Sequence, residues 1–461
     1  ESNDVAHHIT IDDQGNVYAT GVVDTTLTSQ YNDIYTVKLS PGGTLLWEAT
    51  FSGAAGGNDT PAGIAVDDQG NVYVAATAVN FDTGFDGALI SYDQNGNQNW
   101  VSYFDEDSMA QGFDAITLAN AQEIYCGGFM IPGLGSFTDA LLVKFDDAGN
   151  IIWNTSFDAD STISTDRDLI NNLAIDTASN VVAAGQANRN FLVAKYDPSG
   201  NLLWSDEYSF TSGFDSVCAI TIDPFNNVIA TGKATLSFGS DYVTVKYDEN
   251  GNLLWDKNYV NSPGSDDVPY DIISDSVGNV YITGFEILNF STNFNFLTLK
   301  YDSAGTYAWE LIYSDSLGNS PDFGRRITMD AAGNIYVMGD ANQPCFGNTF
   351  INGYRYDITT VKYGSGSSVG IQLNDPNAKG LLLYPNPVTE KLFIDIKNQI
   401  SSSGTYLVTI FDINGRIVEK FEETISGTFE FDVSGIDEGL YFVRLIDLQG
   451  QESTAKFIIQ R

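Results

Sequence analysis

The sequence predicts an all-β chain, in which a seven-bladed β-propeller is followed by a small Ig-like β-sandwich. Six tryptophans recur at spacings of 53, 53, 51, 51 and 54 residues, and each lies in a copy of one phrase, as in "SGNLLWSDEY". Each unit contains four short runs of β-branched and aromatic residues with period-two alternation, separated by polar, glycine-containing turns. Four strands per unit, repeated radially, form a propeller blade. The tryptophans are Trp47, Trp100, Trp153, Trp204, Trp255 and Trp309.

A recurring turn joins the first and second strands of each unit. The stretch "IDDQGNVYATG" runs from Ile11 to Gly21 and returns in altered form in the later units. Its paired aspartates also suggest a calcium loop, but an EF-hand needs acidic residues at alternate positions and a distant glutamate. Later copies such as "DTASN" and "DPFNN" lose the second aspartate and keep the turn residues. The pattern therefore favours a hairpin turn.

The third strand of six units contains a lysine, in phrases such as "VTVKYD". Because the chain is so acidic, we expect each lysine to meet the aspartate that ends the first strand, in a structural ion pair. A lysine nucleophile is excluded by the repetition. The lysines are Lys38, Lys144, Lys195, Lys246, Lys300 and Lys362, and the aspartates are Asp12, Asp67, Asp176, Asp223, Asp275 and Asp330.

A second acidic position recurs eight residues before that aspartate, and the third unit has Gln111 near this place. In a propeller these residues would form a ring at one mouth of the central channel. They could bind a cation such as Ca²⁺ or a polar ligand; alternatively, each caps the loop entering its own blade by accepting backbone N–H bonds, and we favour capping. No other metal or cofactor is expected. The ring consists of Asp4, Asp59, Asp168, Asp215, Asp267 and Asp322.

The seventh unit has three clear strands and then enters "GSGSSVG" without a tryptophan phrase. Its fourth strand could come from residues upstream of Glu1, which we favour, or from "VGIQLN" at 369–374. An open edge would leave unpaired backbone groups that another strand could join. Long loops in the third and seventh units, "FMIPGLGSFTD" and "DANQPCFGNTFINGYRYD", are candidate binding loops because loops on rigid scaffolds often bind ligands.

The charge of the chain limits its partners. Among 461 residues the formal net charge is −39, and the first 374 residues carry 47 acidic and 13 basic side chains, a net charge of −34. Such a surface repels nucleic acid and anionic lipid. The apolar runs are too short for a transmembrane helix. We therefore expect neither nucleic-acid binding nor direct insertion into a membrane.

Cysteine and histidine are scarce. Cys126, Cys218 and Cys345 are too few for a disulfide framework, and the first two lie in apolar runs, where we expect small core residues. The only histidines, His7 and His8, are adjacent and would face opposite sides of a strand. A multi-histidine zinc site is therefore excluded.

The pattern changes after the seventh unit. We assign residues 1–364 to the propeller, 365–380 to a linker and 381–461 to the sandwich. The last segment contains about seven short strand-like runs, and "DINGRIV" forms a hairpin with an Asn-Gly turn. Short alternating strands in so small a segment are typical of a β-sandwich.

Four phrases in this segment resemble a known family. "YPNP", "FDINGRIV", "GLYFVRL" and the terminal "KFIIQR" resemble the type A C-terminal sorting domain of the type IX secretion system of Bacteroidetes-type bacteria. The resemblance implies contact with that machinery and export to the outer cell surface or the medium, often with removal of this domain by a sortase. The residues that match are Tyr384, Pro385, Asn386, Pro387, Gly415, Arg416, Gly439, Tyr441 and Lys456.

The units of residues 1–364 resemble the seven-bladed, SBBP-type propeller repeats of the same bacteria. This resemblance implies a fold and no particular chemistry. The first hypothesis is a non-catalytic binding or adhesion protein that recognises a glycan, a surface protein or a second copy of itself. The second is a secreted polysaccharide lyase or hydrolase using carboxylates at the propeller mouth; no catalytic set stands apart from the repeats. The third is a structural subunit of a surface assembly that accepts a neighbour's strand at the open edge.

Overall fold

The fold is known from a computed structural model, whose described part consists of strands and short turns. The structure describes residues 5–23, 31–80, 84–105, 110–133, 137–158, 167–210, 213–235, 239–259, 266–287, 294–313, 322–343, 355–363, 382–384, 388, 390–395, 403–412, 417–426, 428–437, 439–447 and 452–459. The all-β prediction is confirmed.

Seven consecutive antiparallel sheets, numbered 1 to 7 along the chain, correspond to the repeated units. Their strands follow one another in sequence order within each sheet. Sheets 1 to 3 contain β1 (Val5–Ile11), β2 (Val17–Val23), β3 (Asp33–Leu39), β4 (Leu45–Phe51), β5 (Thr60–Val66), β6 (Val72–Asn80), β7 (Gly84–Tyr92), β8 (Gln98–Phe104), β9 (Ala110–Asn120), β10 (Glu123–Ile131), β11 (Asp139–Phe145) and β12 (Ile151–Phe157). Sheets 4 to 7 contain β13 (Leu169–Ile175), β14 (Val181–Ala187), β15 (Asn190–Tyr196), β16 (Leu202–Tyr208), β17 (Asp215–Ile222), β18 (Val228–Thr235), β19 (Ser240–Tyr247), β20 (Leu253–Tyr259), β21 (Val268–Ser274), β22 (Val280–Ile287), β23 (Phe294–Tyr301), β24 (Tyr307–Tyr313), β25 (Phe323–Met329), β26 (Ile335–Gln343) and β27 (Arg355–Tyr363).

Sheet 7 contains three strands among the described residues, in the order β25-β26-β27. The segment 369–374, one candidate for its fourth strand, lies outside the described residues. The repeated four-stranded antiparallel sheets fit a β-propeller, so the predicted all-β propeller fold is confirmed. The number of seven blades stays a prediction.

Contacts divide the chain into two compact units, residues 1–326 with 341–356 and residues 327–340 with 357–461. Sheets 1 to 6 belong to the first unit. The predicted boundaries at 364 and 381 stay a prediction.

In the second unit, two further sheets are formed from β28 (Leu382–Tyr384), β29 (Lys391–Asp395), β30 (Ser403–Asp412), β31 (Ile417–Ser426), β32 (Thr428–Asp432), β33 (Gly439–Asp447) and β34 (Glu452–Ile459). Their strand orders are β28-β29-β32 and β31-β30-β33-β34. Buried residues of both sheets, including Leu392, Val408, Val443 and Phe457, form one hydrophobic cluster. The segment is therefore a two-sheet sandwich; its Ig-like character stays a prediction.

The recurring turn between the first and second strands is built by its first aspartate. Asp12 Oδ1 accepts bonds from the backbone N–H groups of Gln14 (3.0 Å) and Asn16 (2.8 Å), and Oδ2 accepts one from the Asn16 amide (2.8 Å). The same bonds recur at Asp67, Asp176, Asp223, Asp275 and Asp330. The carboxylate organises a tight turn, as predicted, because it satisfies backbone donors that the reversal leaves unpaired.

The first strand of each sheet contacts the first strand of the next sheet, from β1 with β5 to β17 with β21. These inner strands therefore succeed one another around a common axis, as in a propeller.

The inner strands of sheets 1 to 6 each contain a β-bulge. The bulged residue lies three positions after the recurring acidic position of its unit. A glycine on the second strand lies opposite the bulge in five of these sheets. At Gly232, a Cβ atom would meet the Ser216 carbonyl oxygen. Only a residue without a side chain allows the backbone to approach so closely. The bulged residues are His7, Ala62, Asp114, Asn171, Cys218 and Tyr270.

The tryptophans couple neighbouring sheets. In sheet 4, Trp204 Nε1 donates to the Glu249 carbonyl of the next sheet's β19–β20 turn at 3.1 Å. The indole also covers Gly251 in that turn, whose φ is +85°, and a Cβ there would lie 2.6 Å from Trp204 Cδ2. The turn requires glycine for two reasons: its φ is positive, and a Cβ atom would clash with the indole. The same hydrogen bond recurs from Trp47, Trp100, Trp153 and Trp255.

The two cysteines among the described residues are free thiols. Cys126 is fully buried in β10, as the sequence predicted. Cys218, also predicted to be a core residue, is instead partly exposed because it stands at the bulge of β17, where its sulfur lies 3.8 Å from the Ser216 carbonyl oxygen. Burial raises the pKa of both thiols, that of Cys218 to about 11. Cys345 lies outside the described residues.

Candidate functional site

The repeated lysines meet the predicted aspartates in sheets 4 and 5. Lys195 Nζ lies 2.7 Å from Asp176 Oδ2, and Lys246 Nζ lies 2.8 Å from Asp223 Oδ2. Burial alone would raise the pKa of Asp223, but hydrogen bonds from Lys246 and Asn227 outweigh it and lower that pKa. Sheet 3 lacks the aspartate, and its lysine pairs with a glutamate of β10 at 2.6 Å instead.

In sheets 1, 6 and 7 the arrangement is less direct. The ammonium of Lys38 lies 4.9 Å from the ring centre of Tyr18, and the Tyr18 hydroxyl donates to Asp12 at 3.0 Å. The same pairing of lysine and tyrosine recurs at Lys300 with Tyr281 and at Lys362 with Tyr336. In all these sheets the lysine contacts repeated side chains of its own sheet, which is a structural role.

The described aspartates of the predicted acidic ring are also buried structural residues. Its members Asp59, Asp168, Asp215, Asp267 and Asp322 are at most 2% exposed, and Asp4 lies outside the described residues. Each of the first four accepts a backbone N–H bond: Asp59 from Gly53 (2.5 Å) and Val79 (2.9 Å), Asp168 from Asn188 (2.9 Å), Asp215 from Phe210 (2.8 Å) and Asp267 from Ile287 (2.9 Å). The bonds from Gly53 and Phe210, in the segments that precede β5 and β17, are those that the capping alternative predicts. Val79, Asn188 and Ile287 instead lie at or just after the end of the second strand of the same sheet. Binding of a cation or a polar ligand by the ring stays a prediction.

The ring residues bond to the preceding sheet through their backbone. Asp59 N donates to Asn32 O at 2.9 Å, and Asp267 N donates to Ser240 O at 2.7 Å. Burial raises the pKa of Asp59 despite its two N–H bonds. In the described part of the chain, no group of three or more His, Cys, Asp or Glu side chains is arranged to hold a metal ion.

The bulged residues of the inner strands form a more promising candidate site. A propeller's inner strands surround its central channel, and a bulge re-aims a side chain. Side chains at these bulges also contact the neighbouring inner strand. Asn171 Nδ2 donates to Val217 O at 3.1 Å, and the guanidinium of Arg325, on the inner strand of sheet 7, lies 4.8 Å from the Tyr270 ring centre. Unlike the repeated lysines and aspartates, these side chains differ from sheet to sheet.

Basic side chains meet at the inner strands of sheets 1 and 7. His7 and Arg326 are exposed, whereas His8 and Arg325 are half-buried. Burial and the nearby charge of Arg326 lower the pKa of His8 to about 4, so β1 and the first part of β25 are close in space. The bulge at His7 interrupts the strand alternation expected for the two histidines, and their ring centres lie 6.2 Å apart.

Asp114, the bulged residue of β9, is the acidic member of this set. It is half-buried, and burial raises its pKa to about 6. An acid with a pKa near neutrality can exchange protons at the pH where most proteins work.

The inner-strand site was missed from the sequence because a bulge leaves no composition signal. Each bulged residue of sheets 1 to 6 follows the recurring acidic position by three residues, and Arg325 holds the equivalent place in sheet 7, three residues after Asp322. Alignment of the seven units would have shown a variable column, His-Ala-Asp-Asn-Cys-Tyr-Arg, between repeated neighbours. A variable column in an otherwise repeated scaffold is the signal that could have located the site.

The sorting-phrase residues lie partly within the described residues. Tyr384, Gly439, Tyr441 and Lys456 are in strands β28, β33, β33 and β34. Tyr441 packs on Phe457 with ring centres 5.8 Å apart and donates to Asp437 O at 2.9 Å. The remaining predicted residues, Pro385, Asn386, Pro387, Gly415 and Arg416, lie outside the described residues.

Fold and sequence together define a repeat β-propeller protein with a terminal β-sandwich. Two family models match the chain: a secretion system C-terminal sorting domain over residues 382–460 and a β-propeller repeat over residues 52–78. The protein thus carries the sorting domain of the type IX secretion system, engages that machinery and is exported to the cell surface or the medium. The described part of the chain contains no helix with the length and apolarity needed to cross a bilayer.

More distant similarities add no function. An uncharacterized WD repeat-containing protein, L264, of Acanthamoeba polyphaga mimivirus is 24% identical over 213 residues, which cover 40% of this chain and 12% of that protein. A solved ulvan lyase of polysaccharide lyase family PL25 has a TM-score of 0.49 at 11% identity, covering 77% of this chain and 91% of its own. The propeller domain of the Trilobed protease from Pyrococcus furiosus has a TM-score of 0.42 at 10% identity, with coverage of 74% and 91%. These TM-scores lie below 0.5, so nothing is inferred from them.

Proposed function

We propose that the exported propeller is a non-catalytic binding or adhesion protein that holds a glycan or a surface protein at its inner strands. One observation carries this proposal: the structural lysines and aspartates repeat from sheet to sheet, whereas the residue type at the bulged position varies. The residues there are histidine, alanine, aspartate, asparagine, cysteine, tyrosine and arginine, in chain order. Side chains that serve only packing would repeat with the scaffold, whereas recognition of an asymmetric ligand needs different groups around one site.

The basic cluster indicates the class of ligand. His7 and Arg326 are exposed in a chain whose formal net charge is −39. Arginine presents a planar fork of donors that matches carboxylate or sulfate groups. An acidic glycan would therefore be favoured at sheets 1 and 7, although the rest of the surface repels it.

A glycan array tests the proposal with the full-length, labelled protein. We expect binding to glycans with uronate or sulfate groups, and a loss of at least tenfold in the double variant H7A/R326A. The matched control K420A removes a positive charge from an exposed position on β31 and should bind as the unaltered protein does. Equal binding by the H7A/R326A variant and the unaltered protein would contradict the proposed site.

A second candidate function rests on Asp114. Its pKa of about 6 suits a general acid or base, so a polysaccharide lyase or hydrolase is the alternative. Incubation with acidic polysaccharides would reveal new reducing ends for a hydrolase, or unsaturated uronates by ultraviolet absorbance for a lyase. Turnover that is abolished in D114N would replace the binding proposal with the enzymatic one. The structural-subunit hypothesis stays a prediction, which a mass measurement in dilute solution addresses.

A further inference from the structure

Sheet 2 departs from the repeat at one buried residue. Ser91 stands where six other sheets have lysine, and it is 1% exposed. The strand register proves the equivalence: Ser91 pairs with Trp100 across β7 and β8 as Lys246 pairs with Trp255 across β19 and β20.

Sheets 4 and 5 show what the lysine ammonium binds where the first-strand aspartate is retained. Lys246 Nζ lies 2.8 Å from the Asp223 carboxylate and donates to Ser303 O of the next sheet at 3.3 Å. Lys195 Nζ makes the same two contacts, with its own aspartate and with Glu249 O of the next sheet. A positive charge is thus held between a first-strand aspartate and a backbone carbonyl of the following sheet.

Sheet 2 retains both of these groups. Asp67 is 8% exposed, and its Oδ2 accepts bonds from the Asn71 amide at 2.8 Å and the Tyr73 hydroxyl at 3.3 Å. The carbonyl of Asp147 accepts the Trp100 indole bond at 3.1 Å. In sheets 4 and 5 the corresponding carboxylate and carbonyl both contact the lysine ammonium.

A cavity of about 100 Å³ lies at this position. Its lining includes Asp67, Tyr73, Ser91, Asn99 and Asp147. The Asn99 amide donates to Ser91 Oγ at 3.3 Å, which leaves the amide's carbonyl oxygen as a further acceptor. Burial and then the charges of Asp67 and Asp147 raise the pKa of Tyr73, so both carboxylates lie near its hydroxyl.

We propose that the cavity of sheet 2 binds a cation through oxygen atoms, in the place that a lysine ammonium occupies in sheets 4 and 5. Two carboxylates, a carbonyl and a hydroxyl are hard oxygen ligands, and two negative charges match a divalent ion, so Ca²⁺ is the favoured occupant. An organic ammonium has the same charge sign and is distinguished by the experiment. The site is separate from the inner strands and does not depend on the proposed function.

Calorimetric titration of the chelator-treated, full-length protein tests the site with CaCl₂, KCl and methylammonium chloride as separate probes. We expect one Ca²⁺ per chain and a higher melting temperature in its presence. S91K supplies the ammonium of the other sheets, so it should abolish Ca²⁺ binding and melt higher than the unaltered protein without Ca²⁺. D147N should weaken Ca²⁺ binding at least tenfold, and E419Q, which removes an exposed charge on β31, should leave it unchanged.

The outcomes separate cleanly. Methylammonium binding that S91K abolishes, without Ca²⁺ binding, would assign the cavity to an organic ammonium and still support a cation site. Ca²⁺ binding that persists in S91K would place the ion elsewhere and overturn the proposal. A protein that binds none of the three cations would overturn it as well. Cooperative melting of S91K shows that a lost signal is not lost folding.

Discussion

Lys246 illustrates how one repeated residue contributes to the sheet. Its side chain is 2% exposed, and the side chain of its partner Asp223 is fully buried. Replacement by methionine keeps the aliphatic volume and leaves the carboxylate without its counter-charge. We expect K246M to lower the free energy of unfolding by about 3–5 kcal/mol, measured by denaturant titration near neutral pH.

The pH dependence of that loss is its control. The ion pair and hydrogen bonds lower the pKa of Asp223 in the folded protein, so their stabilisation is present above the ordinary carboxyl pKa and is lost as the pH falls through the lowered value. The difference between K246M and the unaltered protein should shrink in acid. A difference that is constant with pH would show that packing, not charge, explains the loss.

The contribution of Asp114 to folding stability should have the opposite pH dependence. Burial raises its pKa from 3.8 to about 6, so the folded chain binds the proton more tightly than the unfolded chain. Its contribution to stability therefore falls as the pH rises from about 4 to about 6. D114N should be more stable than the unaltered protein at neutral pH by up to about 3 kcal/mol, and the gain should vanish near pH 4.

His8 must be separated from Asp114 in that measurement. Its pKa is lowered from 6.5 to about 4 by burial, Arg326 and His7, so stability is lost as the pH falls through this window. The two contributions oppose each other, and the unaltered protein could show a flat profile. The melting temperatures of D114N and H8Q should therefore be measured against pH in parallel. Relative to the unaltered protein, that of D114N should rise and that of H8Q should fall as the pH rises from about 4 to about 6. Changes of the same sign in both variants would contradict the assignment.

At the scale of strands and turns, two glycines provide a matched pair. Gly43 and Gly251 occupy the same turn in sheets 1 and 5, with φ of +78° and +85°. An added Cβ at Gly43 meets nothing within 4 Å, whereas at Gly251 it meets the Trp204 indole. G43A should cost about 1–2 kcal/mol for its backbone angle, and G251A should cost about 1–3 kcal/mol more because it displaces the indole.

Denaturant midpoints and indole fluorescence measure this pair. G251A should change the fluorescence of the folded protein, and G43A should not. Equal losses of stability with unchanged fluorescence in both variants would contradict the role of the indole in joining sheets 4 and 5.

The strands were predictable because each unit repeats the same turn chemistry and alternation. The aspartate turns and the lysine–aspartate pairs of sheets 4 and 5 follow directly from letters such as "DPFNN" and "VTVKYD". The bulges could not be predicted in this way. They depend on how a backbone carbonyl packs against a glycine on the opposite strand, such as Gly232, which is a tertiary effect. The importance of Ser91 was equally hidden, since one altered residue in a repeat gains meaning only with its neighbours in space.

For the whole molecule, stability should follow the rules of repeat proteins. Each described tryptophan hydrogen bond joins one sheet to the next sheet along the chain, so most stabilising contacts are between sequence neighbours. The repeat spacing predicted this arrangement, whereas the completion of sheet 7 depends on segments outside the described residues. The sorting domain was predictable from short phrases alone, because its family preserves them in order.

Export depends on the C-terminal segment. Deletion of residues 382–461 removes the region that matches the sorting domain and leaves sheets 1 to 7 intact in sequence. In the native host, we expect the shortened protein to accumulate inside the cell, whereas the full-length protein reaches the surface or the medium. Fractionation followed by immunoblotting measures the distribution. Equal amounts of both proteins outside the cell would show that another part of the chain directs export.

The thiols of Cys126 and Cys218 bear on where this protein can fold. Thiolate is the species that exchanges disulfides or reacts with oxidants, and burial disfavours it at both positions. Neither residue is bridged, so these two positions require no oxidative maturation. The sheets that contain them should assemble equally well under reducing and oxidising conditions, on either side of the envelope that the chain crosses.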